Sequence, residues 1–300
     1  MGGGRWTGDD WKTYSSTKTA GKSTEQVFTS RNLDKDLSPH GVGIRESRDS
    51  ADNPNSNAII IALDVTGSMG FVLDAMARQG LNTLVAEIYN RKPVTDPHVM
   101  CMGVGDVECD HAPLQITQFE ADIRIAEQLT KIWLEKGGGG NNYESYALPW
   151  YFAAFHTSID CHEKRGKKGY LFTVGDEEPT PSISRGAIEK FLGESSQRDY
   201  SGEELLRLAQ EKYNVFHVMV EEGSYFRSCG PKVADKWGYL LGQRALRLAD
   251  HTKFAEVVVS AIQMCEGARY DAVVGSWDSV TAKIVQKAIS PGVRGLIASR

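Results

Sequence analysis

Three oxygen-bearing side chains stand at alternate positions in Asp64-Val65-Thr66-Gly67-Ser68-Met69-Gly70, one carboxylate and two hydroxyls on a glycine-bearing turn. Alternate residues of an extended segment point the same way, so Asp64, Thr66 and Ser68 can present their oxygens to one point. Oxygen donors suit a hard divalent cation, Mg2+ first, with Mn2+ or Ca2+ as substitutes. Two neutral hydroxyls leave such an ion short of negative charge, and it should draw a carboxylate from outside. Two other polar stretches deserve the same scrutiny: Gly175-Asp176-Glu177-Glu178-Pro179, and the run Gly137-Gly138-Gly139-Gly140-Asn141-Asn142. Glu177 and Glu178 are expected on the solvated rim.

A strand before the turn and a helix after it must hold these side chains. Ala58 to Leu63 is a continuous apolar run of strand length, the pattern of a strand covered on both faces. Leu73, Met76, Ala77, Leu81, Leu84, Val85 and Ile88 follow at helical spacing. Further strands are expected at Val99 to Val104, Tyr170 to Val174, Val215 to Val220 and Ala245 to Leu248, with Leu114 to Phe119 returning beside the second as a hairpin. Helices are expected over Ala121 to Lys136, Tyr143 to Phe155, Ser184 to Leu192, Gly202 to Tyr213 and Lys253 to Cys265, and one opened by Pro231 at its first turn. The alternation predicts an α/β fold: a doubly wound, mostly parallel central sheet with helices on both faces and one antiparallel edge strand. Ligands of such sheets gather outside the carboxyl ends of the strands, where Asp64 and Asp176 both fall.

At these residues the chain resembles a von Willebrand factor A (vWA) domain with a metal-ion-dependent adhesion site, over roughly residues 58 to 267. That family carries Asp-x-Ser-x-Ser after its first strand, a Thr in a second loop and an Asp after its fourth strand. Asp64 and Ser68 match, Thr66 keeps a hydroxyl where the family has Ser, and Asp176 matches the last element. The family's Thr follows a Gly-Gly pair and precedes Ala-Leu; here the glycine run and Ala147-Leu148 are present, and Asn142 or its neighbour Asn141 takes the Thr place with an amide oxygen. The resemblance implies a metal set of Asp64, Thr66, Ser68, Asn142 and Asp176. It also implies a non-enzymatic scaffold or adaptor of the intracellular bacterial or phage type, which captures an Asp or Glu of a partner protein. A MoxR-type AAA+ ATPase is one candidate partner.

Two other functions compete. Asp64-Val65-Thr66-Gly67-Ser68 also resembles the phosphorylated Asp-Lys-Thr-Gly-Thr of P-type pumps and, loosely, the Asp-x-Asp of haloacid-dehalogenase-type phosphatases, which makes Asp64 a nucleophile on phosphorus with Mg2+ as clamp. Thr66 stands where the soluble phosphatases need an acid–base Asp, and membrane spans for a pump are missing. The third function is a structural or assembly protein that keeps the fold without metal.

The surroundings exclude more than they suggest. A formal charge of −5 over 300 residues, without a long Lys or Arg run, argues against nucleic acid as the partner. Five scattered cysteines suit a reducing compartment, and with neither a signal-like segment nor a membrane span a cytoplasmic location is expected. Residues 2 to 57 hold only six of the Val/Ile/Leu/Met/Phe type, so 1–57 reads as a flexible polar leader whose later half, around Val42 and Ile44, lies along the domain as an edge strand. Residues 58–267 form the domain, and 268–300 a helical appendage marked by Val280, Ile284 and Ala288. Gly21-Lys22-Ser23-Thr24 imitates a phosphate-binding loop but lacks the preceding glycine and strand. Asp106, Glu108, Asp110 and His111 are expected to rim the site. A zinc set of Cys109, His111, Cys161 and His162 lacks the paired short spacings of structural zinc. His217, Trp133, Trp150 and Trp237 read as packing residues.

Overall fold

A computed structural model describes residues 4–67, 69–135, 137 and 141–289. Its central sheet has six strands: β1 (Asn57–Asp64), β2 (Pro97–Val104), β3 (Leu114–Ile116), β4 (Gly169–Gly175), β5 (Tyr213–Val220) and β6 (Ala245–Leu248). Their spatial order is β6-β5-β4-β1-β2-β3, all parallel except β3, which runs antiparallel along one edge. This is the doubly wound α/β sheet expected from the sequence.

The apolar runs become strands because both faces of the sheet are covered. Ile59, Ile61 and Leu63 enter one core, while Ala58, Ile60 and Ala62 enter the other, as period-two alternation requires. The first core is roofed by helices including Leu81–Arg91 and Phe254–Cys265; the second takes Ala147–Phe155, Arg185–Leu192, Gly202–Lys212 and Ser224–Leu241. His98 of β2 is also buried; its Nδ1 pairs with Ser47 Oγ at 3.1 Å, and burial pushes the ring down to about 4. Above pH 6.5 the ring is neutral in both folded and unfolded chains. Below it only the unfolded chain takes the proton, so stability falls as pH falls, by about 3 kcal/mol at pH 4. Urea titrations between pH 7 and 4 check this, and the His98→Gln variant is expected to lose that part of the slope.

Several elements differ from expectation, each for a local reason. The segment before β1 is not a loose leader. Trp11, Tyr14, Val27, Phe28 and Leu37 are buried in the first core, Tyr14 donates to the Ala126 carbonyl at 3.1 Å, and Arg78 binds the carbonyls of Thr19 and Lys22 at 2.9 Å each. A tally of aliphatic residues and Phe leaves out Trp6, Trp11 and Tyr14, which pack beside Val27, Phe28 and Leu37. Ser23 caps the short helix Thr24–Val27 with Gln26, which is the role of the phosphate-loop look-alike. The extended piece is Arg45–Ser47, paired in parallel with Thr157–Ile159 outside the main sheet, and Ile44 is exposed.

The helix expected to run to Lys136 stops at Leu129, and the Gln115 amide takes over: it accepts from Trp133 N at 2.8 Å and donates to Trp133 O at 2.9 Å. Pro231 does not open its helix but sits inside Ser224–Leu241, where it denies a partner to the Arg227 carbonyl. The start is set instead by a tertiary contact, the Tyr225 N–H on Asp176. At the other end, Tyr270–Gly275 and Ser279–Ala288 pack into the first core through Tyr270, Val273, Val285, Ala288 and Ile289, while Val280 is exposed. Residues 290 to 300 lie outside the described residues. No helix among the described residues is long and apolar enough to cross a membrane.

Candidate metal centre at the strand switch point

Chain connections leave β1 and β4, which are neighbours, in opposite directions: β1 leads to β2 on one side and β4 to β5 on the other. The crevice above such a switch point is where doubly wound sheets bind ligands. Leu63 pairs with Val174, so the next residues in the two strands, Asp64 and Gly175, bring Asp64 and Asp176 to the two lips of that crevice.

Asp64 is 1% exposed. Its Oδ1 accepts from the Thr66 N–H at 2.9 Å and the Thr66 hydroxyl at 2.6 Å, and its Oδ2 accepts from the Tyr146 hydroxyl at 3.1 Å. The turn thereby aims Thr66 Oγ1 beside the carboxylate with its lone pairs still available to an ion. Ser68, the third expected ligand, lies outside the described residues, as do Lys136 and Gly138 to Gly140 of the glycine run. The run is nonetheless tied to the turn, for Gly67 N donates to Gly137 O at 3.0 Å. Asp176 is fully buried, and its Oδ2 accepts from Tyr225 N at 2.9 Å.

The second loop contributes differently from the expectation drawn from the resemblance. Asn142 is exposed, and its carbonyl accepts from Glu178 N at 3.1 Å, stitching this loop to the third. Asn141 turns toward the β2 loop, where its amide donates to Asp106 and, at 3.3 Å, to Glu108. The buried acid of the loop is Glu144, 2% exposed, whose Oε2 has no hydrogen-bond partner. Its backbone is fixed by Thr180, whose hydroxyl donates to Glu144 O at 2.6 Å and accepts from Ala147 N at 3.1 Å.

The electrostatics follow from burial. Desolvation first, and then the Asp176 charge, carry Asp64 up to about 7, against three hydrogen bonds that pull it down. Burial and the charges of Asp64 and Asp176 push Glu177 up to about 8. Glu144 is driven higher still by burial, then by Asp64 and Glu177, with Asp106 and Asp110 adding to it. The charges that act most on Asp64, Glu144 and Glu177 are all carboxylates. Glu178, by contrast, is buried but satisfied by Lys232, Lys236 and the Tyr225 hydroxyl, which hold its carboxyl below the usual range. The solvated rim expected of Glu177 and Glu178 is therefore absent: one belongs to the acidic crevice, and the other anchors the loop to the helix Ser224–Leu241.

A cluster of acids such as Asp64, Glu144 and Glu177, with the Thr66 hydroxyl on the first, is chemically matched to a hard cation. Among the described residues, Asp64 and Asp176 belong to no group of three His, Cys, Asp or Glu whose ligand atoms all lie within 4.8 Å of one another, which leaves hydroxyls and water to complete a coordination shell. One group does meet that spacing: Glu222, Asp250 and His251, past the ends of β5 and β6. There Glu222 Oε2 already accepts from His251 N at 2.6 Å and pairs with its Nδ1 at 2.9 Å, while Asp250 Oδ1 accepts from Thr252. The four-residue zinc set is dispersed. Cys161 lies against Ala58, at the start of β1, whereas Cys109 contacts Asp106, beyond the end of β2. His217 is buried and stacked on Trp237, with Trp150 buried beside them, while Trp133 is half-buried.

Sequence reasoning missed Glu144 and Tyr146. The available signal was two polar residues, Glu144 and Ser145, placed just before an otherwise wholly apolar helix. Tyr146 has room for its hydroxyl because residue 175 is Gly: a Cβ there would run into it. Gly175→Ala is therefore expected to lower stability by about 1 to 3 kcal/mol and to displace Tyr146 from Asp64, which urea denaturation with Tyr146→Phe as reference would measure.

No known family profile matches the chain, and no curated protein matches it. Solved structures with a similar backbone include the pilus adhesin SpaC from Lactobacillus rhamnosus GG in its open conformation, at 10% identity and a TM-score of 0.46, covering 73% of this chain and 31% of that one. Another is a von Willebrand factor type A protein from Catenulispora acidiphila, at 11% identity and a TM-score of 0.36, covering 72% and 44%. The chain thus spans less than half the length of either.

Proposed function

We propose that this chain is a vWA-type protein-binding module that holds a divalent cation, Mg2+ or in its place Mn2+ or Ca2+, above the β1/β4 switch point. Asp64, Thr66 and Ser68 supply one side of the shell, Asp176 the other, and the Asn142 loop closes over it. An Asp or Glu of a partner protein completes the coordination, and a charge-assisted contact of this kind is strong once water is excluded. A scaffold in the cytoplasm, working beside an AAA+ ATPase of the MoxR type, is the setting that the vWA resemblance suggests. The single observation that carries the reading is the facing pair Asp64 and Asp176, buried at the switch point with the Thr66 hydroxyl on one of them and no basic side chain among the charges acting most on Asp64.

The module is read as non-enzymatic. Both Asp64 oxygens are engaged by Thr66 and Tyr146, which suits a fixed ligand better than a nucleophile. Calorimetric titration of Mg2+ and Mn2+ into the metal-free protein is expected to give saturable binding that disappears in Asp64→Ala. Absence of binding in the unaltered chain overturns the reading and leaves the metal-free structural role. Acid-labile labelling of Asp64 by acetyl phosphate replaces it with the phosphotransferase.

A further inference from the structure

The loop that carries Asp176 runs on into Pro179-Thr180-Pro181, which forms one wall of a cleft of about 570 Å3, a size ordinary for a ligand pocket. The helix Ser224–Leu241 adds Asp235, Tyr239 and Leu240, and the first turn of the helix Gly202–Lys212 adds Glu203. These walls are fixed to one another. Ser182 and Ile183 pair antiparallel with Ser201 and Tyr200, Gly202 N donates to Pro181 O at 2.9 Å, and a Cβ on Gly202 would run into the Thr180 carbonyl.

The polar groups of the cleft are unequally satisfied. The Lys236 ammonium is held by Glu178, the Thr180 hydroxyl is shared between Glu144 O and Ala147 N, and the Ser201 hydroxyl accepts from Glu204 N at 3.1 Å. The Glu203 and Asp235 carboxyls, by contrast, have no ion-pair or hydrogen-bond partner among the described residues. Tyr239, four residues beyond Asp235 and so on the same helix face, is 85% exposed, and among the described residues no other ring or cation lies on it. Pro179 and Pro181 supply apolar surface and no N–H. A cleft whose own ammonium is neutralised, while two carboxylates and an aromatic face stand open, is complementary to a donor-rich cation.

We propose that the cleft takes an arginine side chain of a partner protein, from an extended segment with apolar neighbours. The planar guanidinium lies on the Tyr239 ring and its five N–H groups serve the Glu203 and Asp235 carboxylates; a lysine ammonium, a compact and more strongly hydrated point charge, does neither as well. The apolar neighbours lie along Pro179, Pro181 and Leu240. The chain's net charge of −5 favours the approach of a basic segment. The site goes beyond the cation reading and uses none of the proposed ligands of the ion.

The test titrates acetyl-Leu-Arg-Leu-amide into the isotope-labelled full chain in EDTA, which leaves the cation out of the outcome, and follows the backbone amide resonances. Saturable shifts are expected at Thr180, at Ser201 to Glu203 and at Asp235 to Leu240. Citrulline in place of the arginine keeps the shape without the charge and is expected to weaken binding at least about tenfold, as is the doubly altered chain Glu203→Gln/Asp235→Asn. Tyr239→Ala is expected to cost about threefold, and Tyr239→Phe, which keeps the ring, nothing. All three side chains are exposed, so these variants keep the fold. No saturable binding of the arginine peptide, shifts confined to another surface, or unchanged affinity in the doubly altered chain overturns the proposal. Equal affinity for the citrulline peptide overturns it as well, because it marks an apolar occupant.

Discussion

At pH 8, in the absence of metal, the Asp64→Asn protein is expected to melt at a higher temperature than the unaltered chain and to gain nothing from added Mg2+. The first half follows from Asp64 being buried beside Asp176, with its carboxyl carried from 3.8 to about 7. At pH 8 the group is ionised in both states, and the folded state bears the cost of holding that charge away from water. An amide of the same shape removes the charge and still accepts the Thr66 bonds, so a gain of the order of 2 kcal/mol is expected, or a few degrees in Tm. The second half follows from the loss of a charged ligand: removing one partner of a buried charge pair costs roughly 3 to 5 kcal/mol, which is a hundredfold or more in Mg2+ affinity. Thermal melts of the two proteins with EDTA and with Mg2+ check both halves. A residue that serves only the fold would lower stability under every condition.

The cation is also expected to compete with protons. In the metal-free chain, Asp64 titrates near 7 and Glu177 near 8, both above their ordinary values. Groups raised in this way contribute most stability below their unfolded values, near 4, and that contribution is lost as pH rises toward 7 and 8. A cation reverses the trend by binding the ionised forms and expelling the protons. Affinity for Mg2+ should therefore fall about tenfold per pH unit for each proton displaced as the solution is acidified from pH 8 to 6, and binding should release protons to the buffer. Calorimetry in buffers of different ionisation heat measures both quantities. An affinity that is flat with pH and releases no protons would place the ion away from Asp64 and Glu177.

The sheet was legible because its physics is local. Ile59, Ile60 and Ile61 read as a strand buried on two faces whatever packs on them, and the helix after β1 announces itself by apolar spacing. Asp64 and Asp176 were legible for the same reason: each is the first acid past a strand whose end could be placed, and the doubly wound topology then brings them to one crevice. The missed features depend on contacts between distant parts of the chain. That Trp11 and Tyr14 bury the leader, that Gln115 ends a helix at Leu129, and that Asp176 starts one at Ser224 are all tertiary facts, invisible to spacing. The same holds for Glu144. In sequence it is one acid among 39 Asp and Glu, and only the fold shows that Thr180 fixes its backbone while its Oε2 has no hydrogen-bond partner.

Anomalous scattering from a crystal of the chain soaked in Mn2+ bears most directly on the account. A peak between Asp64 and Asp176, within bonding distance of the Asp64 carboxylate and the Thr66 hydroxyl and lost in Asp64→Asn, is the predicted result. A peak only at Glu222, Asp250 and His251, or none at Mn2+ concentrations that shift the melting temperature, would contradict it.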